Sequence, residues 1–159
     1  MNSKNIFDVS GKTIIITGAA GMLGTEYAKG LSEKGANVVL ADLDFKKCKE
    51  ISLELGKKYA NKTLPINLDL TKILSIKNMV KKVVKKYGKI DVLINNAAYQ
   101  GDDKLRTIPF EKLPLKSWNK AIDVNLTGIF LCCQGIGKIM LKQKNGVIIN
   151  ISSTYGIIA

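Results

Sequence analysis

The residues Thr17-Gly18-Ala19-Ala20-Gly21-Met22-Leu23-Gly24 are arranged to hold an anion. They follow an apolar run, Thr13-Ile14-Ile15-Ile16, and open a segment with helical spacing. A strand, a glycine turn and a helix N-terminus in that order form a cradle for a dinucleotide pyrophosphate. Gly18 permits the tight turn, Gly21 lets the backbone approach the phosphates, and Gly24 lets the helix pack closely on the sheet. The helix dipole and its unpaired N–H groups favour the negative charge. Asp42 ends the next apolar run, 24 residues after Gly18 (42 − 18). That spacing suits a carboxylate that bonds the hydroxyls of the adenosine ribose. A carboxylate there repels a 2′-phosphate, so NAD is expected in preference to NADP.

These residues need a scaffold, and the chain alternates strand and helix patterns from end to end. Lys12–Thr17 reads as the first strand. Met22–Lys34 reads as a helix with Leu23, Tyr27, Ala28 and Leu31 on one face, closed by Gly35. Asn37–Ala41 is the second strand. Asp44 is placed to N-cap a helix whose buried stripe is Phe45, Cys48, Ile51, Leu55 and Tyr59. Thr63–Leu68 is the third strand. Thr71–Tyr87 is a helix with a lysine-rich outer face, stopped by Gly88. Ile90–Ile94 is the fourth strand. Gln100–Leu115 is a polar loop, a long helix runs from about Leu115 to Lys142, and Gly146–Ile151 is the fifth strand. Nearly continuous apolar strands fit a parallel sheet covered on both faces. The expected fold class is therefore α/β, a doubly wound parallel sheet of the Rossmann type in three α/β/α layers, over one domain, 1–159.

Composition narrows the function. The chain has 159 residues, 46% hydrophobic and 24% charged, enough for one core. No consecutive apolar run reaches a membrane span and no signal peptide precedes the first strand, so a cytoplasmic location is expected. The net charge is +12, and Arg106 is the only arginine. The lysines are scattered over helix faces with few aromatics among them, which points to a solvated surface and away from a nucleic-acid partner. Three cysteines without a Cys-x-x-Cys pair argue against a disulfide framework or a metal site. With no histidine, acid–base chemistry falls to Tyr, Lys, Ser, Asp or Glu.

Three further segments stand behind the glycine loop: Asn95-Asn96-Ala97-Ala98, Asn125-Leu126-Thr127-Gly128, and Ser152-Ser153-Thr154-Tyr155-Gly156. In this order they resemble the short-chain dehydrogenase/reductase family over essentially the whole chain. The resemblance implies an oxidoreductase that passes hydride between a nicotinamide and a secondary alcohol or carbonyl. It implies that Thr17 braces the turn, and that Gly18, Gly21 and Gly24, with the backbone of Met22 and Leu23, hold the phosphates. It assigns Asp42 to the ribose and Asp69-Leu70 to the adenine. Asn96 and Ala97 would line the ribose and nicotinamide region. Asn125 would position a proton-relay water, and Ser153 would polarise the substrate oxygen. Homo-oligomers through the long helix are also implied. Each polar residue has a purely structural alternative. Asp42, Asn95 and Asn96 could be turn residues, Asp69 a helix cap, Asn125 a helix asparagine satisfied by backbone, and Ser153 a strand-end cap.

The sequence departs from the family pattern in two places. Compact members place their second glycine where this chain has Met22. The spacing Gly18-x-x-Gly21-x-x-Gly24 is closer to the extended branch of nucleotide-sugar epimerases and dehydratases. Ala98 also replaces a usual glycine. The second departure concerns the family's proton donor, the tyrosine of a Tyr-x-x-x-Lys motif. Counted from Ser153, that tyrosine falls beyond Ala159, and Tyr155 lies too early to replace it. The 159 residues are therefore expected to be an inactive N-terminal portion of a longer enzyme, with an unpaired fifth strand. A non-catalytic dinucleotide-binding remnant is the other alternative.

Overall fold

The computed structural model describes residues 7–59, 62–101 and 107–153. Five parallel strands form one sheet: β1 (Thr13–Thr17), β2 (Asn37–Asp42), β3 (Leu64–Asn67), β4 (Val92–Asn95) and β5 (Val147–Asn150). Their spatial order is β3-β2-β1-β4-β5. The chain thus builds outward from β1 to β3, then returns to the other side of β1 for β4. That reversal defines a topological switch point between β1 and β4, where the carboxyl ends of the strands open a crevice. The expected doubly wound α/β class is the one observed. Four helices connect the strands: α1 (Met22–Glu33), α2 (Phe45–Tyr59), α3 (Ile73–Tyr87) and α4 (Leu115–Gln143).

Alternation along each strand divides the core into two layers. Ile14, Ile16, Val38 and Leu40 face α1 and α2 and meet Ala28, Cys48, Ile51 and Leu55. Ile15, Val39, Ala41 and Leu93 face α3 and α4 and meet Ile76, Met79, Val83, Cys132 and Ile136. Burial of the Cys48 and Cys132 thiols pushes each up to about 12, with Asp42 and Asp44 adding to the effect on Cys48. Both therefore stay protonated at neutral pH and pack as small apolar groups.

Local signals set most helix ends. The Asp44 carboxylate accepts the Lys47 N–H at 3.0 Å, a side-chain N-cap for α2. Gly88 closes α3 in the left-handed region, φ 75°. Two stripes differ from expectation. Leu23 is exposed because the first turn of α1 faces the crevice, and the buried face of this helix is Gly24, Ala28 and Ser32. Phe45 is also exposed, at the first residue of α2, where its ring lies under the Lys49 ammonium.

The long helix α4 is not uniform. Asp123–Gly128 forms a π-helical stretch between two α-helical arms. Wide turns of this kind are common at functional sites. Gly128 packs directly on Leu70, where a Cβ would lie 2.8 Å from the Leu70 Cβ. By length and composition α4 can cross a membrane, although no consecutive apolar run in the sequence is that long. The physical reason is that Asp123, Asn125, Thr127 and Gln134 break the apolar residues between Lys120 and Lys138 into short runs. Here Cys132, Ile136 and Met140 seat it on the sheet, while Leu126, Phe130 and Leu141 are exposed. Among the described residues β5 pairs only with β4, as expected, and Val147, Ile148 and Ile149 are exposed along it.

Candidate functional site

The glycine loop, Asp42, Asp69 and the Asn95–Ala98 segment sit at or behind the carboxyl end of the sheet. The loop after β1 is the tightest part. Gly18 has φ 67°, and a Cβ there would stand 2.7 Å from the Ala97 Cα. Gly24 is closed off by Gly18 O and Ala19, so α1 comes down onto the turn that precedes it. Gly21 is the N-cap of α1 and its N–H closes the turn onto Gly18 O at 3.1 Å. The first-turn amides of Met22, Leu23 and Gly24 have no intrahelical partner. No acidic side chain lies in that turn, so the positive end of the helix is left unneutralised. Met22, the first residue of α1, is among the most exposed apolar residues at 82%.

Thr17 joins this loop to the end of β4. Its buried hydroxyl accepts the N–H groups of Asn96 and Ala97, both at 3.1 Å, and donates toward Ile94 O at 3.4 Å. The Asn96 amide returns the contact by donating to Thr17 O and Gly18 O at 3.1 and 3.2 Å. Asn96 thus fixes the glycine turn. Asn95 faces the other way, donating to the Asn150 side chain at 2.9 Å and toward Cys133 Sγ at 3.4 Å.

Asp42 ends β2 beside the loop. One carboxylate oxygen accepts the Ala20 N–H at 3.0 Å and the other the Asp44 N–H at 2.9 Å. The turn role and a ribose role are compatible, because each carboxylate oxygen can accept a further bond. Asp69 follows β3. Its carboxylate accepts the Thr71 hydroxyl at 2.6 Å and the Thr71 N–H at 3.0 Å, and pairs with Lys72 at 3.1 Å. It is not the cap of α3, whose N-cap is Lys72. These donors, the Thr71 hydroxyl foremost, hold the Asp69 carboxyl below its usual range.

A lowered folded-state pKa contributes stability above the unfolded value and loses it as pH falls through the folded one. Thr71→Val is therefore expected to raise the Asp69 pKa and to shrink the stability lost on acidification. NMR titration of the side-chain carboxyl reads this directly. An unmoved Asp69 titration would show that the hydroxyl is not the cause.

A cleft of about 370 Å³ opens between these loops. Of the residues expected to bind cofactor, Gly18, Asp42, Asp69, Leu70 and Ala97 line it. Thr17 lies buried behind it, Asn96 beside it, and Gly21, Met22, Leu23 and Gly24 at the adjoining helix end. The sequence reading did not include Tyr99, Lys120 and Val124, which also line the cleft. Lys120 and Val124 are four apart on one helix, a spacing that marks a shared face once either is placed. Asn125 is exposed, and its side chain grips the Tyr99 backbone, accepting its N–H at 2.7 Å and donating to its O at 2.9 Å. Backbone satisfaction of Asn125 is thus observed, across a loop rather than within its own helix. Ser152 and Ser153 are exposed just past β5, where Ile151 N–H bonds Asn95 O at 3.0 Å. Thr154, Tyr155 and Gly156 of that motif lie outside the described residues.

A crevice at the switch point of a doubly wound sheet, with a glycine turn and a strand-end acid, defines the class of nucleotide-binding α/β proteins. The family model for short chain dehydrogenase matches residues 12–159. The chain belongs to the short-chain dehydrogenase family. It is 37% identical over 149 residues to an uncharacterized oxidoreductase of Thermotoga maritima, covering 92% of this chain and 55% of that protein. It is 35% identical over 153 residues to an NAD-dependent glycerol dehydrogenase of Listeria innocua, covering 96% and 57%. The structure of NAD+-bound xylitol dehydrogenase superposes with a TM-score of 0.86 at 28% identity, covering 94% of this chain and 55% of that one. The chain thus spans a little over half the length of the relatives it matches.

Proposed function

We propose that this chain binds NAD in the crevice at the carboxyl ends of β1, β2 and β4, as the cofactor-binding part of an alcohol or carbonyl oxidoreductase. The observation that carries the reading is the glycine cradle. A Cβ on Gly18 or Gly24 would collide where the loop and α1 converge, and the first turn of α1 that opens there carries no acidic side chain. The bound nicotinamide supplies the hydride acceptor or donor. Gly18, Gly21 and the amides of Met22, Leu23 and Gly24 hold the phosphates. Asp42 accepts from the ribose hydroxyls, Asp69 and Leu70 border the adenine, and Asn96 and Ala97 border the ribose next to the nicotinamide. Asn125, through Tyr99, positions the loop after β4, and Ser153 donates a hydrogen bond to the substrate oxygen.

Names among the relatives support this reading, since one is a glycerol dehydrogenase described as NAD-dependent and one structure is a xylitol dehydrogenase with NAD+ bound. Calorimetric titration tests it. NAD is expected to bind more tightly than NADP, and Asp42→Ala is expected to reduce that preference by about tenfold, the weight of one charge-assisted hydrogen bond. Selectivity that Asp42→Ala leaves unchanged would remove the argument for NAD. The Gly18-x-x-Gly21-x-x-Gly24 spacing supports a second reading, a nucleotide-sugar epimerase or dehydratase that uses NAD transiently. A rise in Tm with a nucleotide sugar in the presence of NAD would favour it.

A further inference from the structure

The outer wall of the cleft carries a feature that the glycine loop does not explain. Tyr99 follows the Asn95–Ala98 segment, and the Asn125 side chain grips its backbone from both sides. That grip fixes the backbone that carries the ring. Lys120, on the first arm of α4, holds its ammonium 4.4 Å from the centre of the Tyr99 ring. Both side chains line the same cleft as Asp42 and Asp69. Lys120 is the one cation among the described lining residues. The cleft therefore has carboxylates at the ends of β2 and β3 on one side and an ammonium seated on an aromatic face on the other.

A ligand that satisfies both walls must offer hydrogen-bond donors to the carboxylates and acceptor atoms or an electron-rich ring to the ammonium. Adenosine does both. Its ribose hydroxyls and exocyclic amine donate, and its ring nitrogens accept. An ammonium already desolvated on one side by a tyrosine ring needs less dehydration to meet such a ligand, which raises the gain from the contact. The acidic wall lies at β2 and β3, away from Ser153 at the end of β5, so the adenosine end of a dinucleotide is the part that fits.

We propose that Lys120, seated on the ring of Tyr99, is a binding residue for the adenosine half of the dinucleotide. The inference rests on the dinucleotide reading given above. It makes Tyr99 the platform, Lys120 the contact, and Asn125 the residue that positions Tyr99.

Titration with ADP-ribose, AMP and nicotinamide mononucleotide tests it on the 159-residue chain. Lys120→Ala is expected to weaken AMP and ADP-ribose about tenfold, near 1.4 kcal/mol, and to leave nicotinamide mononucleotide unchanged. Tyr99→Ala is expected to reproduce the loss, whereas Tyr99→Phe keeps the ring and the affinity. Lys120 is exposed, so the thermal unfolding midpoint of Lys120→Ala should match that of the unsubstituted chain. ADP-ribose affinity that stays within about twofold in Lys120→Ala overturns this assignment alone. Failure of the unsubstituted chain to bind ADP-ribose overturns the dinucleotide reading and this assignment with it.

Discussion

Gly18→Ala is expected to weaken dinucleotide binding on the order of 100-fold and to destabilise the fold. Two effects coincide at this position. The backbone has φ 67°, which an alanine adopts only at a strain of roughly 1–3 kcal/mol. The added Cβ would also meet the Ala97 Cα at 2.7 Å and the Ala97 N at 3.0 Å. Those are backbone atoms held by Thr17, so they cannot swing aside as a flexible side chain can. Overpacking of this kind costs about 1–3 kcal/mol more. The loop escapes only by moving off the end of β4, which opens the phosphate cradle. A loss of about 3 kcal/mol in binding is on the order of 100-fold in Kd. Gly30→Ala is the control, since its Cβ meets nothing within 4 Å on the exposed side of α1. It should leave NAD affinity alone and raise stability by about 0.5–1 kcal/mol. Calorimetry and urea unfolding of both variants decide the matter. A Gly18→Ala chain that binds NAD as tightly as the parent would refute the cradle.

Thr17→Val is expected to be strongly destabilising although it is nearly isosteric. Thr17 is fully buried, and its hydroxyl serves two amides from the far strand, those of Asn96 and Ala97. Valine matches the shape and removes the acceptor. Each amide left without a partner costs about 1–3 kcal/mol, and partial access to water reduces the sum to roughly 2–3 kcal/mol. For a chain of this size that lowers the Tm by roughly 5–10 °C. Thr17→Ser keeps the oxygen and should recover most of the loss. The cofactor readout follows the same line, because the Gly18 turn is fastened to β4 through Asn96. Equal stability of the valine and serine variants would show that the methyl, and not the hydroxyl, holds the two strands.

Local sequence carries much of this protein. Short apolar runs and the period-3.6 pattern mark five strands and four helices, because both are set by residues within a few positions of one another. Asp44 as a cap and Gly88 as a stop are equally local, each acting on backbone within a few residues of itself. The glycine loop is legible for the same reason. Its turn, its helix start and its close approach all lie within Thr17–Gly24. Leu23 and Phe45 show where periodicity fails, at first turns that face an open crevice or solvent rather than a core.

The sequence by itself therefore determined the βα alternation, the glycine turn and the acid that ends β2, since each depends on neighbours along the chain. The tertiary structure alone decided how those pieces become one site. The Thr17 hydroxyl meets amides 79 and 80 residues away because β4 returns to the side of β1 opposite β2. The Asn125 side chain meets Tyr99 across 26 residues, beside a π-helical stretch that no hydropathy pattern announces. Lys120 reads along the chain as one more solvated lysine. The crossing of α4 over the end of β4 sets it above a tyrosine ring, in a cleft with Asp42 and Asp69. Periodicity reports which way a side chain points on its own element, whereas strand order and helix docking fix what it points toward.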